Sequence, residues 1–143
     1  MKSIIRFFQF NFLPRSVDFS LLVLRIWLGA TMLLNHGKGK LMGFGQMADK
    51  FSDPLGVGPT VSLSLAIFGE VVCAVLLALG LLTRFAALVL VILTGTAFFL
   101  VHNRAFSGPA SGELAFIYLA GFLAIFLAGP GRFSIDRKLG GAA

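Results

Sequence analysis

Four long apolar stretches divide the chain, and they alternate with polar, glycine-rich connections. The stretches run from about Phe19 to Asn35, Thr60 to Leu82, Phe85 to Val101, and Leu114 to Gly129. A helix needs roughly 20 residues to cross the hydrocarbon core of a bilayer, and three of the stretches are near the short end of that range. The pattern therefore predicts an all-α fold: a polytopic membrane protein built as a four-transmembrane-helix bundle.

The predicted connections differ in length. The first, from His36 to Pro59, is the longest and is the loop most able to cover a pocket. The second is a tight turn around Thr83 and Arg84, and the third runs from His102 to Gly112. Arg132 and Asp136 follow the last stretch and could form a local pair or dock onto the Arg84 turn.

Both ends of the chain fit the same single membrane domain, residues 1–143. Apolar residues at helical spacing around Arg6 predict that residues 1–17 form an interfacial segment in the headgroup layer. Pro130 and Gly131 stop the last helix, so residues 130–143 are expected to form a tail.

Composition supports a bilayer as the solvent. Of the 143 residues, 57% are hydrophobic and only 13% are charged, and the mean hydropathy is +0.93. The net charge of +6 comes from cations scattered between apolar blocks, which does not fit a nucleic-acid-binding face. With one cysteine, Cys73, the chain can form neither an internal disulfide nor a dithiol relay. Any redox chemistry therefore needs a cofactor from outside.

The distribution of Lys and Arg predicts the orientation. The side with both termini carries seven of them, and the opposite side carries four. The seven are Lys2, Arg6, Arg15, Arg84, Arg132, Arg137 and Lys138, and the four are Lys38, Lys40, Lys50 and Arg104. The positive-inside rule places both termini in the cytoplasm and the first loop outside.

Arg25 and Glu70 are the most informative charged residues, since each lies within a predicted span. Arg25 lies ten residues before Asn35 and Glu70 lies ten residues after Thr60. At 1.5 Å per residue both would be about 15 Å from the same boundary, so antiparallel helices would bring them level and allow pairing. Such a pair could be architectural, or it could receive a polar headgroup such as a quinone carbonyl.

A second group of polar residues is expected at the outer boundary, where four chain segments converge. Its members are His36, Lys38, Lys40, His102, Glu113 and Arg104. The imidazoles and the carboxylate could bind a metal, but no close spacing motif supports a metal site. A shallow cationic pocket for an anion or a quinone headgroup fits better. Alternatively, the lysines complement the carbonyl end of the first helix.

Small and aromatic residues suggest how the helices pack. Small residues are spaced to let helices approach closely; they are Gly29, Gly69, Gly95, Ala120, Ala124 and Ala128. Trp27 and Tyr118 could each be a packing or lipid contact or a pocket wall.

Three segments together resemble the DoxX family of small bacterial membrane proteins, over about Leu24 to Asp136. They are His36-Gly37-Lys38-Gly39-Lys40-Leu41, then Glu70 with Leu79-Gly80-Leu81-Leu82-Thr83-Arg84, and Gly129-Pro130-Gly131-Arg132-Phe133-Ser134-Ile135-Asp136. The resemblance implies a four-helix domain in the bacterial cytoplasmic (inner) membrane. It also implies an association with redox systems, including a subunit of a thiosulfate:quinone oxidoreductase. The matched polar positions are Lys40, Glu70 and Arg84.

These observations lead to one main hypothesis and two alternatives. The main one is a redox-associated membrane subunit that holds a quinone-like ligand or anchors an oxidoreductase partner. In a catalytic version, Glu70 would exchange protons with the quinone, Arg25 would stabilise its anionic form, and His36 or His102 would relay protons. The alternatives are a carrier for a small solute or ion and a non-catalytic scaffold. The apolar run from Val71 to Leu82 argues against a continuous polar path.

Overall fold

The structure, a computed structural model, describes Phe8, Phe10 and residues 16–140, and in that part of the chain every regular element is a helix. The helices are α1 (Val17–Met42), α2 (Phe44–Met47), α3 (Pro59–Leu79), α4 (Thr83–Val101), α5 (Glu113–Ala128) and α6 (Ile135–Lys138). Apart from Phe8, Phe10, Ser16 and Val17, the expected interfacial segment lies outside the described residues.

The four principal helices have the length and polarity of a membrane bundle. With 26, 21 and 19 residues, α1, α3 and α4 are long and apolar enough to cross a membrane, and α5 is a shorter apolar helix of 16 residues. Large apolar side chains cover the outside of the bundle: Trp27 is 70% exposed and Leu127 is 68% exposed. A soluble domain rarely exposes so much apolar surface. The prediction of an all-α polytopic membrane protein is confirmed.

Local sequence signals explain where the helices begin and end. The Ser16 hydroxyl caps α1 by accepting a hydrogen bond from Phe19 N at 3.1 Å. Pro59 occupies the first turn of α3, where its missing N–H is not needed. Gly80, with φ +71°, ends α3, and Leu81 N donates to Leu76 O at 2.9 Å. This bond gives the left-handed glycine termination of a Schellman motif.

The helices pack in a ring, with α1 on α3, α3 on α4, α4 on α5, and α5 back on α1. Two of the predicted close approaches are confirmed. A Cβ at Gly29 would lie 2.6 Å from Ala74 O, and one at Gly69 would lie 2.9 Å from Leu93 Cδ2. A Cβ at Gly95 would lie 3.9 Å from Leu119 Cδ1, which is an ordinary van der Waals contact. The other three small residues, Ala120, Ala124 and Ala128, are exposed on the outside of α5, so their predicted role in packing within the bundle is wrong.

The first helix continues beyond the end that the sequence suggested. It runs to Met42, seven residues past Asn35, so His36, Lys38 and Lys40 lie on α1 rather than in a loop. The polar run is helical because Gly37 is buried against α3, where a Cβ would lie 2.6 Å from Glu70 O. The first connection is correspondingly shorter.

The bundle has two ends with different contents. We call the end with the two interhelical connections, α1 to α3 and α4 to α5, the loop end, and the opposite end the tail end. At the tail end, Asp136 accepts hydrogen bonds from Leu82 N at 2.7 Å and from Thr83 N and Oγ1 at 2.8 and 2.7 Å. The expected docking of the tail onto the Arg84 turn is thereby confirmed for Asp136.

The contacts of Asp136 also set its protonation. Partial burial raises the pKa of this carboxyl group, but the hydrogen bonds from Thr83 and Leu82 and the charge of Arg25 lower it. The net effect is a pKa below the ordinary value of 3.8. Asp136 therefore stays ionised at neutral pH and caps the start of α4.

Candidate functional site

Lys40 and Glu70 form an ion pair between α1 and α3. The ammonium nitrogen of Lys40 lies 2.7 Å from Glu70 Oε1 and 2.6 Å from Oε2, so both carboxylate oxygens are engaged. The two side chains are 20% and 10% exposed, respectively. A lysine near the end of a helix can extend its side chain along the helix. Here it reaches a carboxylate in the middle of the neighbouring helix, and each charge compensates the other.

An imidazole and an aromatic ring complete the group. His36 lies one turn before Lys40 on α1, and its ring meets the ring of Tyr118 edge to face at 5.6 Å and 88°. Tyr118 is buried and stacks on Phe122 at 5.7 Å. We call these four residues, His36, Lys40, Glu70 and Tyr118, the ionic centre. They come from α1, α3 and α5, so three helices meet there.

The backbone around the ionic centre is irregular. α1 has a π-helical segment at Leu33–Gly37, which contains His36, and α3 has one at Phe68–Cys73, which contains Glu70. Such segments are rare and occur frequently at functional sites, because the extra residue redirects side chains. Gly37 is the last residue of the first segment, and it permits the close approach of the two helices.

Arg25 is not the partner of Glu70, so this sequence-based prediction is wrong. Arg25 lies twelve residues before Gly37, about 18 Å along the helix axis. Its Nη2 donates to Phe133 O at 2.6 Å, and Nη1 lies 3.5 Å from Leu77 O. The prediction failed because it measured depth from Asn35, whereas α1 ends at Met42. The register of the two helices also differs from the expected one: Gly37 lies against the backbone of Glu70, so Lys40, one turn further on, reaches the carboxylate, and Arg25 lies at the tail end.

Arg25 instead joins the tail to the bundle. It is fully buried, and a side chain at Gly80 would overlap its guanidinium group. Its Nε is buried without a hydrogen-bond partner among the described residues. The guanidinium group therefore ties α1 to the end of α3 and to the segment before α6.

The remaining candidates lie outside the ionic centre. Lys38 and Glu113 are exposed. The His102 ring is 3.0 Å from Ala110 O, within its own connection. Arg104 lies over the Phe99 ring at 5.8 Å. Their assignment to a ligand site stays a prediction, and none of these contacts links them to the Lys40–Glu70 pair.

Trp27 lies on the outside of the bundle, and Cys73 lies in its core. Trp27 points outward on α1 and lines an open groove of about 360 Å³ with Phe19 and Val23. Cys73 is fully buried one turn after Glu70. Among the described residues, no three His, Cys, Asp or Glu side chains stand together as metal ligands.

The sequence contained two signals for the ionic centre. Lys40 and Glu70 were both matched positions of the family resemblance, and Gly37 is the small residue one turn before Lys40 that packing between α1 and α3 requires. The contact of His36 with Tyr118 had no such signal, since it depends on how α5 returns to α1.

Comparison with known proteins identifies the family. The DoxX family model matches residues 20–103. A protein of Haemophilus influenzae is 32% identical over 126 residues, which cover 84% of this chain and 83% of the relative. A second protein of that organism is 33% identical over 135 residues, covering 90% and 96%. Both have the description "Uncharacterized protein", and no solved structure matches. The chain belongs to the DoxX family and is a multi-pass membrane protein.

Proposed function

We propose that this chain is a membrane subunit that holds a quinone-like ligand at the ionic centre and serves a redox partner. The observation that carries the proposal is the Lys40–Glu70 pair, two opposite charges in contact inside an apolar bundle. Ionisable residues in a membrane interior are costly and commonly mark ligand or proton sites. Two of the three π-helical segments among the described residues lie at this level, which supports this interpretation; the third is Ala97–Val101 in α4.

The residues of the ionic centre fit the chemistry of a quinone headgroup. The Lys40 ammonium can donate to a carbonyl oxygen, and the Glu70 carboxylate can accept from the hydroxyl of the reduced form. The stacked rings of Tyr118 and Phe122 offer an apolar wall for a flat ring. The ligand would bind by taking over part of the contact between Lys40 and Glu70.

Each residue then has a defined role. When bound, a quinone supplies two-electron redox chemistry. Glu70 accepts or returns the proton, and Lys40 stabilises negative charge on the ligand oxygen, the role that the sequence had suggested for Arg25. His36, one turn from Lys40, relays protons towards the loop end. A single cysteine provides no dithiol relay, so in this proposal a redox partner supplies the electrons.

A solute carrier receives less support from the structure. Between the ionic centre and the tail end, the core contains Cys73, Ala74 and Leu77, all fully buried and apolar. A transported ion would have to cross this layer without polar contacts, which is unfavourable. The ionic centre is better suited to a ligand that enters and leaves from one side.

The family and the distribution of charges support a proposal for the location. We place the chain in the bacterial cytoplasmic (inner) membrane with the tail end in the cytoplasm. The support is the excess of Lys and Arg on the side with both termini, seven against four.

A binding titration with two matched carboxylate variants tests the proposal. The purified chain in lipid nanodiscs is titrated with a short-tail ubiquinone, alongside Glu70→Gln and Glu113→Gln. A hydrogen bond to a charged group contributes about 1.5–3 kcal/mol, so we expect Glu70→Gln to weaken binding by about tenfold or more. Glu113→Gln should bind as the wild type does, because Glu113 is exposed outside the ionic centre.

Two lysines give an independent comparison. Lys40→Gln should weaken quinone binding, and Lys38→Gln, two residues away on the exposed face of α1, should not. Unfolding temperatures in the same nanodiscs show whether each variant is folded. Absence of saturable binding by the wild type, or equal affinities of the two members of each pair, would contradict the proposal.

A further inference from the structure

A second surface feature lies at the tail end, away from the ionic centre. It is an open groove of about 540 Å³ between the turn after α3, the start of α4 and the tail. Its walls are largely apolar, and Leu82, Phe85 and Leu139 are 57%, 50% and 73% exposed. Arg84 lines the same groove, so an exposed cation stands beside exposed apolar surface.

The exposed cations at the tail end do not form ion pairs in the described part of the chain. They are Arg84, Arg132, Arg137 and Lys138. In the described part of the chain, none of the four has a carboxylate within ion-pair distance. Asp136 lines the groove, but both of its oxygens accept hydrogen bonds from the start of α4. Asp18 Oδ1 likewise accepts from Arg132 N at 2.8 Å.

The charge of the described residues is concentrated at the tail end. The loop half of the bundle carries four Lys or Arg side chains and four Asp or Glu side chains, so its formal charge is zero. The tail half carries five cations, including Arg25, and two carboxylates. The positive excess therefore falls at the end that holds the groove.

We infer that this groove is a binding site for an anionic phospholipid. The phosphate is held by Arg84, with Arg137 and Lys138 on the neighbouring tail helix adding to the positive field. The acyl chains lie along the exposed apolar side chains of Leu82 and Phe85. The groove combines the two properties that such a lipid requires, since apolar walls alone would not distinguish an anionic from a neutral lipid.

Native mass spectrometry of the full chain in detergent tests the inference. The chain is mixed with phosphatidylglycerol or with phosphatidylcholine, and the bound lipid is counted for the wild type, Arg84→Gln and Arg104→Gln. Arg104 is the matched control, an exposed arginine at the loop end. One cation near a membrane surface contributes about a fivefold change in affinity for anionic lipid.

We expect Arg84→Gln to reduce phosphatidylglycerol binding about fivefold and Arg104→Gln to leave it unchanged. Phosphatidylcholine binding should be weaker and equal in all three proteins. Inorganic phosphate should not displace the lipid, since it lacks the acyl chains that fill the groove. Equal loss in the two arginine variants, displacement by inorganic phosphate, or no preference of the wild type for phosphatidylglycerol would overturn the inference.

A second variant keeps the inference testable if the first variant does not fold. If Arg84→Gln does not yield folded protein, the double variant Arg137→Gln/Lys138→Gln is used, because both side chains are exposed and make no ion pair in the described structure. A several-fold loss of phosphatidylglycerol binding supports the site, and unchanged binding counts against it.

Discussion

The Lys40–Glu70 pair allows a quantitative prediction about stability. Lys40→Met leaves the Glu70 carboxylate, only 10% exposed, without its ammonium partner. Removing one member of a buried pair typically destabilises a protein by about 3–5 kcal/mol. Because the Glu70 side chain keeps some exposure, we expect the lower end, about 3 kcal/mol. Glu70→Gln should be milder, about 1–2 kcal/mol, since the Lys40 side chain is 20% exposed and can turn towards the headgroups.

The double variant Lys40→Met/Glu70→Gln provides the decisive comparison. With both charges gone, no unpaired ion remains in the bundle, so its destabilisation should be smaller than the sum of the single effects by about 2–3 kcal/mol. The measurement is the free energy of unfolding in mixed detergent micelles for all four proteins. A parallel cycle on Lys38 and Glu113, which make no ion pair in the described structure, should show no coupling. Additive effects at Lys40 and Glu70 would refute the reasoning.

Three further changes probe the contacts around the bundle. In an unfolding assay, Gly37→Ala should destabilise the chain by about 1–3 kcal/mol, because the new Cβ would lie 2.6 Å from a backbone oxygen of α3. Gly39→Ala is the control and should be neutral or stabilising, since no atom lies within 4 Å of its new Cβ. Arg25→Met should lower the free energy of unfolding by about 3 kcal/mol, since it leaves the Phe133 carbonyl without its 2.6 Å donor, and proteolysis of the tail should become faster. The lowered pKa of Asp136 means that its stabilisation is complete above the ordinary value of 3.8 and is lost as the pH falls through the lower folded pKa. Asp136→Asn should be less stable by about 1–2 kcal/mol at neutral pH and should not show that acid loss in a pH series of unfolding temperatures. Unchanged stability in Gly37→Ala, Arg25→Met or Asp136→Asn would contradict the corresponding contact.

The sequence was sufficient for the architecture because the bilayer imposes a simple rule. Apolar stretches of spanning length must become helices, since no other open structure satisfies its backbone hydrogen bonds in lipid. The predicted start of the second span at Thr60 and end of the third at Val101 agree with the structure to within one residue. Gly29 and Gly69 were also identified correctly, because only a small residue permits those contacts.

The pairing of charges could not be predicted from the sequence in the same way. A polar run such as residues 35–40 has the composition of a loop, and only the burial of Gly37 against α3 shows that the helix continues. The residue of α1 that packs against Glu70 is Gly37, twelve residues after Arg25, which exceeds the seven residues by which the helix is longer than predicted, and Lys40, one turn further on, becomes the partner. The outward position of Ala120, Ala124 and Ala128 likewise depends on the rotation of α5, which its almost uniformly apolar sequence does not determine.

Quinone binding by the double variant Lys40→Met/Glu70→Gln, measured beside the wild type and Lys38→Met/Glu113→Gln in nanodiscs, tests the central claim most directly. The double variant should retain its fold, because no unpaired charge is left, yet bind the short-tail ubiquinone at least tenfold more weakly than the other two proteins. Binding equal to that of the wild type would show that the pair only joins α1 to α3, and the proposed ligand site would be wrong.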